Sequence, residues 1–164
     1  MGFGQILFGF SGRINRAKYW LAVLFWTAVW IVALILFVLF IARDFAAIPD
    51  PDDMSGPEAL RLLLSSGISA ILLVIVVIVP MVVSGFAVGI KRLHDRNKSG
   101  WWTLLFFVAP SVLQGASSSF DGAVSLILSL AGMVVAIWAL VELGFLRGTR
   151  GPNQYGPDPL PPGD

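Results

Sequence analysis

The chain is 164 residues long, with 57% hydrophobic residues, 13% charged residues and a formal net charge of +1 at pH 7. Soluble domains carry about 25% charged residues, so this composition excludes a water-soluble globular protein and makes lipid the solvent for much of the surface. The absence of cysteine excludes disulfides, thiolate chemistry and cysteine metal sites.

Residues 1–12 (MGFGQILFGFSG) set Phe3, Ile6, Leu7 and Phe10 at helical spacing. That pattern fits a short segment lying in the membrane interface, although Gly2, Gly4 and Gly9 oppose a helix there. An N-myristoylation start needs Ser or Thr at position 6, where Ile6 stands. Asn15 is the expected N-cap of the first long helix, because its side chain can accept an orphaned N–H of the first turn. Arg13, Arg16 and Lys18 stay in water, while Tyr19 and Trp20 suit the headgroup level. Residues 19–41 carry no charge and are enough to cross a hydrocarbon core about 30 Å thick. A signal peptide would have an apolar region of only about 7–15 residues and a small-residue cleavage site, so the stretch is expected to be the first span.

Residues 42–61 are polar and acidic. Asp50, Asp52 and Asp53 lack the glycine register of a calcium loop and are expected in a solvated loop. Ser55 and Glu58 form a capping box with Pro57 in the first turn, which starts a helix. The second span is expected over residues 66–90, kinked near Pro80. Gly85 and Gly89 would let another helix approach closely. Residues 101–119 are apolar but short and contain Pro110; they are expected to be a third span, with a re-entrant hairpin as the alternative. A turn (SSSFDG) leads to a fourth span over residues 123–146, with Ser125, Ser129 and Gly132 as a small-residue packing stripe and Glu142 about one turn inside its end. The tail, residues 147–164, is rich in Gly and Pro and is expected to be extended or turn-like. There is no internal repeat, and residues 1–164 read as a single membrane domain.

With four spans, one side of the membrane receives Arg13, Arg16, Lys18, Lys91, Arg92, Arg96, Lys98, Arg147 and Arg150, and the other receives Arg43 and Arg61. Short basic loops resist translocation. The expected architecture is therefore all-α: an integral membrane antiparallel four-helix bundle with both termini and the central loop cytoplasmic.

Three motifs stand out against this frame. The first is Gly12-Arg13-Ile14-Asn15-Arg16 with Tyr19-Trp20. The second is Arg92-Leu93-His94-Asp95 with Ser99-Gly100-Trp101. The third runs through Gly148, Gly151, Asn153, Tyr155, Gly156, Asp158 and Pro159. Together, over nearly the whole chain, they resemble domain-of-unknown-function family 805, the YhaH-like bacterial inner-membrane proteins. The resemblance implies a multi-pass protein of the bacterial inner membrane and supplies no activity. One departure is Asn97, where members often carry Gly; Asn is the next best residue for a left-handed turn.

All three motifs fall at the cytoplasmic ends of the expected spans, which are neighbours in an antiparallel bundle. The candidate cluster is therefore Arg13, Asn15, Arg16, Arg92, His94, Asp95, Ser99, Gly100, Trp101, Asn153, Tyr155, Gly156 and Asp158. Zinc needs three or four ligands, and the chain has one His and no Cys, so neither a metal site nor a cofactor is expected. A general-base pair of His94 and Asp95 is conceivable, but adjacent residues at a helix end point different ways and no nucleophile accompanies them, so no residue is assigned as catalytic. Asp95 is instead expected to pair with Arg13 or Arg16, with His94 capping or packing the loop. Glu142, the one acid inside an expected span, should snorkel or meet a loop arginine such as Arg92.

The expected function is non-enzymatic: an accessory or scaffold protein whose cluster engages a protein partner or anionic lipid headgroups. Near an anionic leaflet each such cation contributes about 1 kcal/mol. The alternative is a small transporter or channel subunit working through Glu142 as a homo-oligomer, and the third reading is a lipid-headgroup enzyme at His94–Asp95. No nucleic-acid partner is expected.

Overall fold

The computed structural model describes residues 1–46 and 54–160. Asp50, Asp52 and Asp53 lie outside the described residues. Helices account for the regular structure among the described residues, together with one isolated bridge between Asn153 and Gly156.

The first helix, α1 (Phe3–Phe8), is short. The Gly2 N–H donates to the Gln5 side chain at 3.1 Å, and the chain leaves at Gly9 in an extended conformation. Ile6 and Leu7 are buried, whereas Phe3, Phe8 and Phe10 are exposed, so the glycines do not prevent the turn that buries this pair. Helix α2 (Arg16–Ala46) begins as Asn15 dictates: the Asn15 side-chain oxygen accepts the Lys18 N–H at 3.0 Å. Helix α3 (Gly56–Leu73) opens on the expected box, with the Ser55 N–H and hydroxyl donating to Glu58 Oε2 at 2.9 and 2.7 Å.

A π-helical turn, Val74–Ile78, carries α3 into α4 (Val79–Asp95). Pro80 follows directly. Proline has no N–H to give and its ring crowds the carbonyl four residues earlier, and a wider turn makes the room. The local departure expected at Pro80 thus takes the form of a π turn within a helical stretch from Gly56 to Asp95.

Helix α5 (Trp102–Ser117) is one continuous helix of 16 residues despite Pro110. At 1.5 Å per residue it is about 24 Å long, less than a bilayer core of about 30 Å. Gly122, with φ +61, turns the chain into α6 (Gly122–Leu140), which ends in a second π turn, Val141–Phe145. Among the described residues, three helical stretches are long and apolar enough to cross a membrane: Arg16–Arg43, Gly56–Asp95 and Gly122–Phe145; α5 is a shorter apolar helix.

The described chain divides into two compact units. In the second, Val23–Val83, large apolar side chains reach the surface: Leu63 is 70% and Val76 65% exposed. The first, Met1–Ala22 with Ser84–Asp164, holds the buried core. Leu93 of α4, Phe106 of α5, Ala139 of α6 and Leu143 of the π turn meet there, with Tyr19 packed against them. Small residues set the approach of the helices. A Cβ added at Gly132 would lie 3.3 Å from the Pro110 carbonyl oxygen, so α6 packs on α5 where the proline stands. A Cβ added at Gly89 would lie 3.2 Å from Thr103 Cγ2 and 3.3 Å from the Phe107 ring, whereas one at Gly85 would meet Phe107 at an ordinary 3.8 Å.

These distances separate the two glycines. Gly89→Leu should overpack the α4–α5 contact and destabilise the protein by about 1–3 kcal/mol, while Gly85→Ala should be near neutral. Thermal unfolding of the two purified variants in one detergent checks this.

Candidate functional site

Asp95 closes α4 and is 2% exposed. Its Oδ1 accepts from Arg13 Nε at 3.2 Å and Nη2 at 3.1 Å, and its Oδ2 accepts from Arg92 Nη1. Arg92 lies one turn earlier on the same helix, a spacing that sets the two side chains on one face. Its Nε donates to the Leu143 carbonyl at 2.8 Å, and its Nη2 donates to the Leu146 carbonyl. Arg13 spends its remaining donors on the tail: Nη1 on the carbonyls of Gly151 (2.7 Å) and Gly156 (3.1 Å), and Nη2 on the carbonyl (2.7 Å) and hydroxyl (3.2 Å) of Thr149.

Two buried guanidinium groups thus face one carboxylate, and carbonyl dipoles offset the excess positive charge. Those of Leu143 and Leu146 stand at the end of α6 and its π turn, where the helix dipole is negative. Taking an ion out of water costs several kcal/mol, so such a group is stable only when its hydrogen bonds are complete.

The tail is fixed by the same group. The Thr149 N–H and hydroxyl donate to the Asp95 carbonyl at 2.8 and 3.1 Å. Asn153 Nδ2 donates to the His94 carbonyl and to the Thr149 hydroxyl, each at 2.9 Å. Asn153 and Gly156 pair through both backbone bonds, with Gly156 at φ +134, a conformation that favours glycine. A Cβ on Gly148 would lie 2.0 Å from Asp95 Oδ2, so the tail passes the carboxylate only because that residue has no side chain. Asp158 accepts the Gly151 N–H at 2.7 Å and the Leu160 N–H at 3.1 Å. The Leu160 and Gly151 N–H groups together hold its carboxyl below the usual carboxylate range.

His94 does not touch the acid beside it. Its ring lies flat on Tyr155, centroids 3.9 Å apart and planes 3° apart, and its Nδ1 is 3.2 Å from the Gly12 carbonyl. A carbonyl only accepts, so Nδ1 carries the hydrogen. The pairing expected for Asp95 is found with Arg13; Arg16 instead donates to the Phe145 carbonyl at 3.1 Å.

Glu142 meets a loop arginine as expected, Arg96 in place of Arg92, together with Lys98. Its Oε1 is 2.9 Å from both Arg96 Nε and Lys98 Nζ. The reason is the turn after α4: Asn97 stands at φ +57, and that left-handed residue reverses the chain. Lys91 is fully buried, and its ammonium donates to the carbonyls of Gln5 (2.7 Å) and Ile6 (2.6 Å). These are late carbonyls of α1, the end that favours a cation.

Of the residues named from the sequence, Arg13, Arg92, His94, Asp95, Asn153, Tyr155 and Gly156 come together in this network. Asn15 caps α2. Asn15, Arg16, Arg147, Arg150 and Asp158 line a cavity of about 280 Å³. Ser99, Gly100 and Trp101 line a different one, of about 420 Å³, with His94 and Tyr155. Among the described residues no three His, Cys, Asp or Glu side chains gather as a metal site would need. The candidate cluster leaves out Lys91, Arg96 and Lys98, which read only as basic charges of one side, and Gly148, which reads only as a motif glycine; Thr149 is not singled out by the sequence. For Lys91 a signal existed: Ser84, Ala87, Val88, Lys91, Arg92 and Asp95 are all buried and recur at helical spacing. They are one buried face that turns from apolar to charged.

Breaking the buried pair should be costly. Arg13→Met leaves Asp95 with one guanidinium and the tail carbonyls with none, and should destabilise by about 3–5 kcal/mol. Gly148→Ala should expel the carboxylate and act in the same direction. In both variants trypsin should cut at Arg147 and Arg150 faster than in the parent protein, a difference visible by mass spectrometry. The Asp158 carboxylate adds a pH dependence. Its folded-state pKa lies below the unfolded value, so its contribution is full above about pH 3.9 and is lost as pH falls through the folded value. Tail protection against pepsin should fall in that acid range, and Asp158→Asn should flatten the profile.

Comparison with known proteins agrees with this picture. The chain is 29% identical over 155 residues to the uncharacterised protein YiiR of Escherichia coli K12, covering 94% of this chain and 88% of the relative. It is 27% identical over 151 residues to the inner membrane protein YhaH (92% and 87% covered) and 28% identical over 151 residues to the inner membrane protein YhaI (92% and 86%), both of the same strain. No solved structure matches the chain. With relatives of that name and three helical stretches among the described residues able to cross a bilayer, this is a multi-pass protein of the bacterial inner membrane. A family model described as "Protein of unknown function (DUF805)" matches residues 7–157, and the chain belongs to that family.

Proposed function

We propose that the protein is a non-enzymatic accessory protein of the inner membrane, whose motif cluster is a rigid platform that presents arginines to anionic lipid headgroups. The observation that carries this reading is the cavity of about 280 Å³ lined by Arg16, Arg147 and Arg150. It lies beside Asp95, whose oxygens are already held by Arg13 and Arg92. Planar guanidinium groups suit phosphate oxygens, and Arg16 spends one hydrogen bond on Phe145 out of the five donors a guanidinium carries.

The orientation proposed with it places both termini and the Lys91–Trp102 turn in the cytoplasm, with α5 completing an antiparallel four-helix bundle. It is supported by the nine basic residues that then share one side. The transport and enzyme readings lose support from the same geometry. Glu142 is paired with two cations, and His94 and Asp95 each have partners other than one another.

Two measurements test the proposal. The native chain has no cysteine, so Gln154→Cys should react with a membrane-impermeant maleimide only after the inner membrane is opened. Ser55→Cys should react from the periplasmic side; the reverse pattern would sink the orientation. In cells, a photocrosslinking residue at Arg150 or Gln154 should give adducts with anionic phospholipid, and these should be lost in Arg16→Gln/Arg147→Gln. A reproducible protein adduct in their place would make the platform a docking site for a protein, and the lipid reading would fall.

A further inference from the structure

The apolar residues at the start of the chain divide into two groups. Ile6 and Leu7 are buried in the protein, whereas Phe3, Phe8 and Phe10 are each close to half exposed. No residue from 1 to 12 has a charged side chain. Single exposed apolar residues are ordinary. Three phenylalanines within eight residues, with no charge among them, make a surface poorly suited to bulk water.

The hydrogen bonds around α1 point to what covers it. In water the last carbonyls of a helix are left to solvent; in an apolar medium the protein must bond them itself. Here the Lys91 ammonium donates to the Gln5 and Ile6 carbonyls at 2.7 and 2.6 Å. The Gly9 N–H also donates to the Gln5 carbonyl, at 3.1 Å. At the other end the Gly2 N–H is taken by the Gln5 side chain. A helix of six residues is too short to persist by itself, so these bonds and the burial of Ile6 and Leu7 hold it against the protein.

Lys91 also fixes the depth. Its own carbonyl accepts the Ile14 N–H at 3.4 Å, so the chain is fastened to this residue on both sides of the link from α1 to Arg13. Lys91 stands four residues before Asp95, where the membrane-crossing stretch Gly56–Asp95 ends, a distance of about 6 Å along the helix axis. Helix α1 therefore lies on the flank of a crossing helix, about one turn inside its polar end. A segment lying in the membrane interface buries its apolar face about 5–10 Å into the boundary between headgroups and acyl chains. The two depths agree.

We infer that Phe3, Phe8 and Phe10 form a lipid-contact surface, and that α1 is a docked wedge whose partner is the headgroup–acyl boundary of the leaflet at this end of the protein. The surface continues that of the helix it is fastened to. Sequence spacing sets Ile6 and Leu7 with Phe3 and Phe10; the structure gives the first pair to the protein and leaves the phenylalanines to lipid. This contact needs no headgroup charge, so it is independent of the arginine-lined cavity.

The test uses nitroxide labels on single cysteines, since the native chain has none. The full chain carrying Phe8→Cys or Phe10→Cys is reconstituted into phosphatidylcholine vesicles, which leave the arginine-lined cavity without an anionic lipid. Val134→Cys, at an exposed position of α6, is the lipid reference, and Gln154→Cys is the aqueous one. Accessibility to oxygen, which concentrates in lipid, is compared with accessibility to a water-soluble nickel chelate present on both sides of the membrane. Both labels on α1 and its exit should favour oxygen and read a depth of about 5–10 Å, shallower than Val134. Both replaced side chains are exposed, so the melting temperature should match that of the parent. Nickel accessibility equal to that at Gln154 would overturn the assignment. Shielding from both reagents would overturn it as well, because protein rather than lipid would then cover the phenylalanines.

Discussion

A single carboxylate, that of Asp95, holds the polar end of this protein together. It is buried, and so are the two guanidinium groups that meet it. Such a group has no tolerance for partial assembly, because each ion stripped of water must find its full complement of partners. Asp95 lies at the end of α4, Arg13 ahead of α2, and the carbonyls that finish Arg13 in the tail. Three segments far apart in sequence are consequently fixed to within hydrogen-bond tolerance of one another. The glycine at position 148 and the left-handed residue at 97 follow from the need to bring backbone up against that carboxylate and to reverse the chain beside it.

A second regularity is the use of cations to finish helices. In water the last carbonyls of a helix are solvated; in an apolar setting they must be bonded from within the protein. Here Lys91 takes the late carbonyls of α1, while Arg92 and Arg16 take those at the end of α6 and its π turn. The basic residues on which the proposed orientation rests therefore double as caps. That accounts for Lys91 and Arg92 being 0% exposed, unusual for residues of their kind.

Much of the fold was legible because lipid imposes a simple rule on composition: long uncharged runs become helices. The Asn15 cap and the Ser55–Glu58 box marked two helix starts by local chemistry alone. The Asp95–Arg13 pair was open to reasoning because a buried acid needs a cation and the candidates were few. What escaped was whatever depended on the exact path of the chain. Glu142 meets a loop arginine as expected, but which one was not legible: Asn97 turns the chain so that Arg96, with Lys98, arrives in place of Arg92. The π turn before Pro80 and the shortness of α5 are also outcomes of packing and backbone sterics that hydropathy does not carry. Thr149 has no distinguishing context in sequence; its role arises only because Gly148 brings it against Asp95.

The order in which the network's parts are made has a consequence for biogenesis. Arg13 leaves the ribosome first, Asp95 more than eighty residues later, and Thr149, Gly151 and Gly156, whose carbonyls complete Arg13, come last. Until the tail emerges, Arg13 lacks those acceptors, and water or headgroups must serve in their place. This end of the molecule can close only after translation has passed Gly156. A nascent chain stalled short of that point would present an unsealed, charged end, with Arg13 and Asp95 short of their full set of partners.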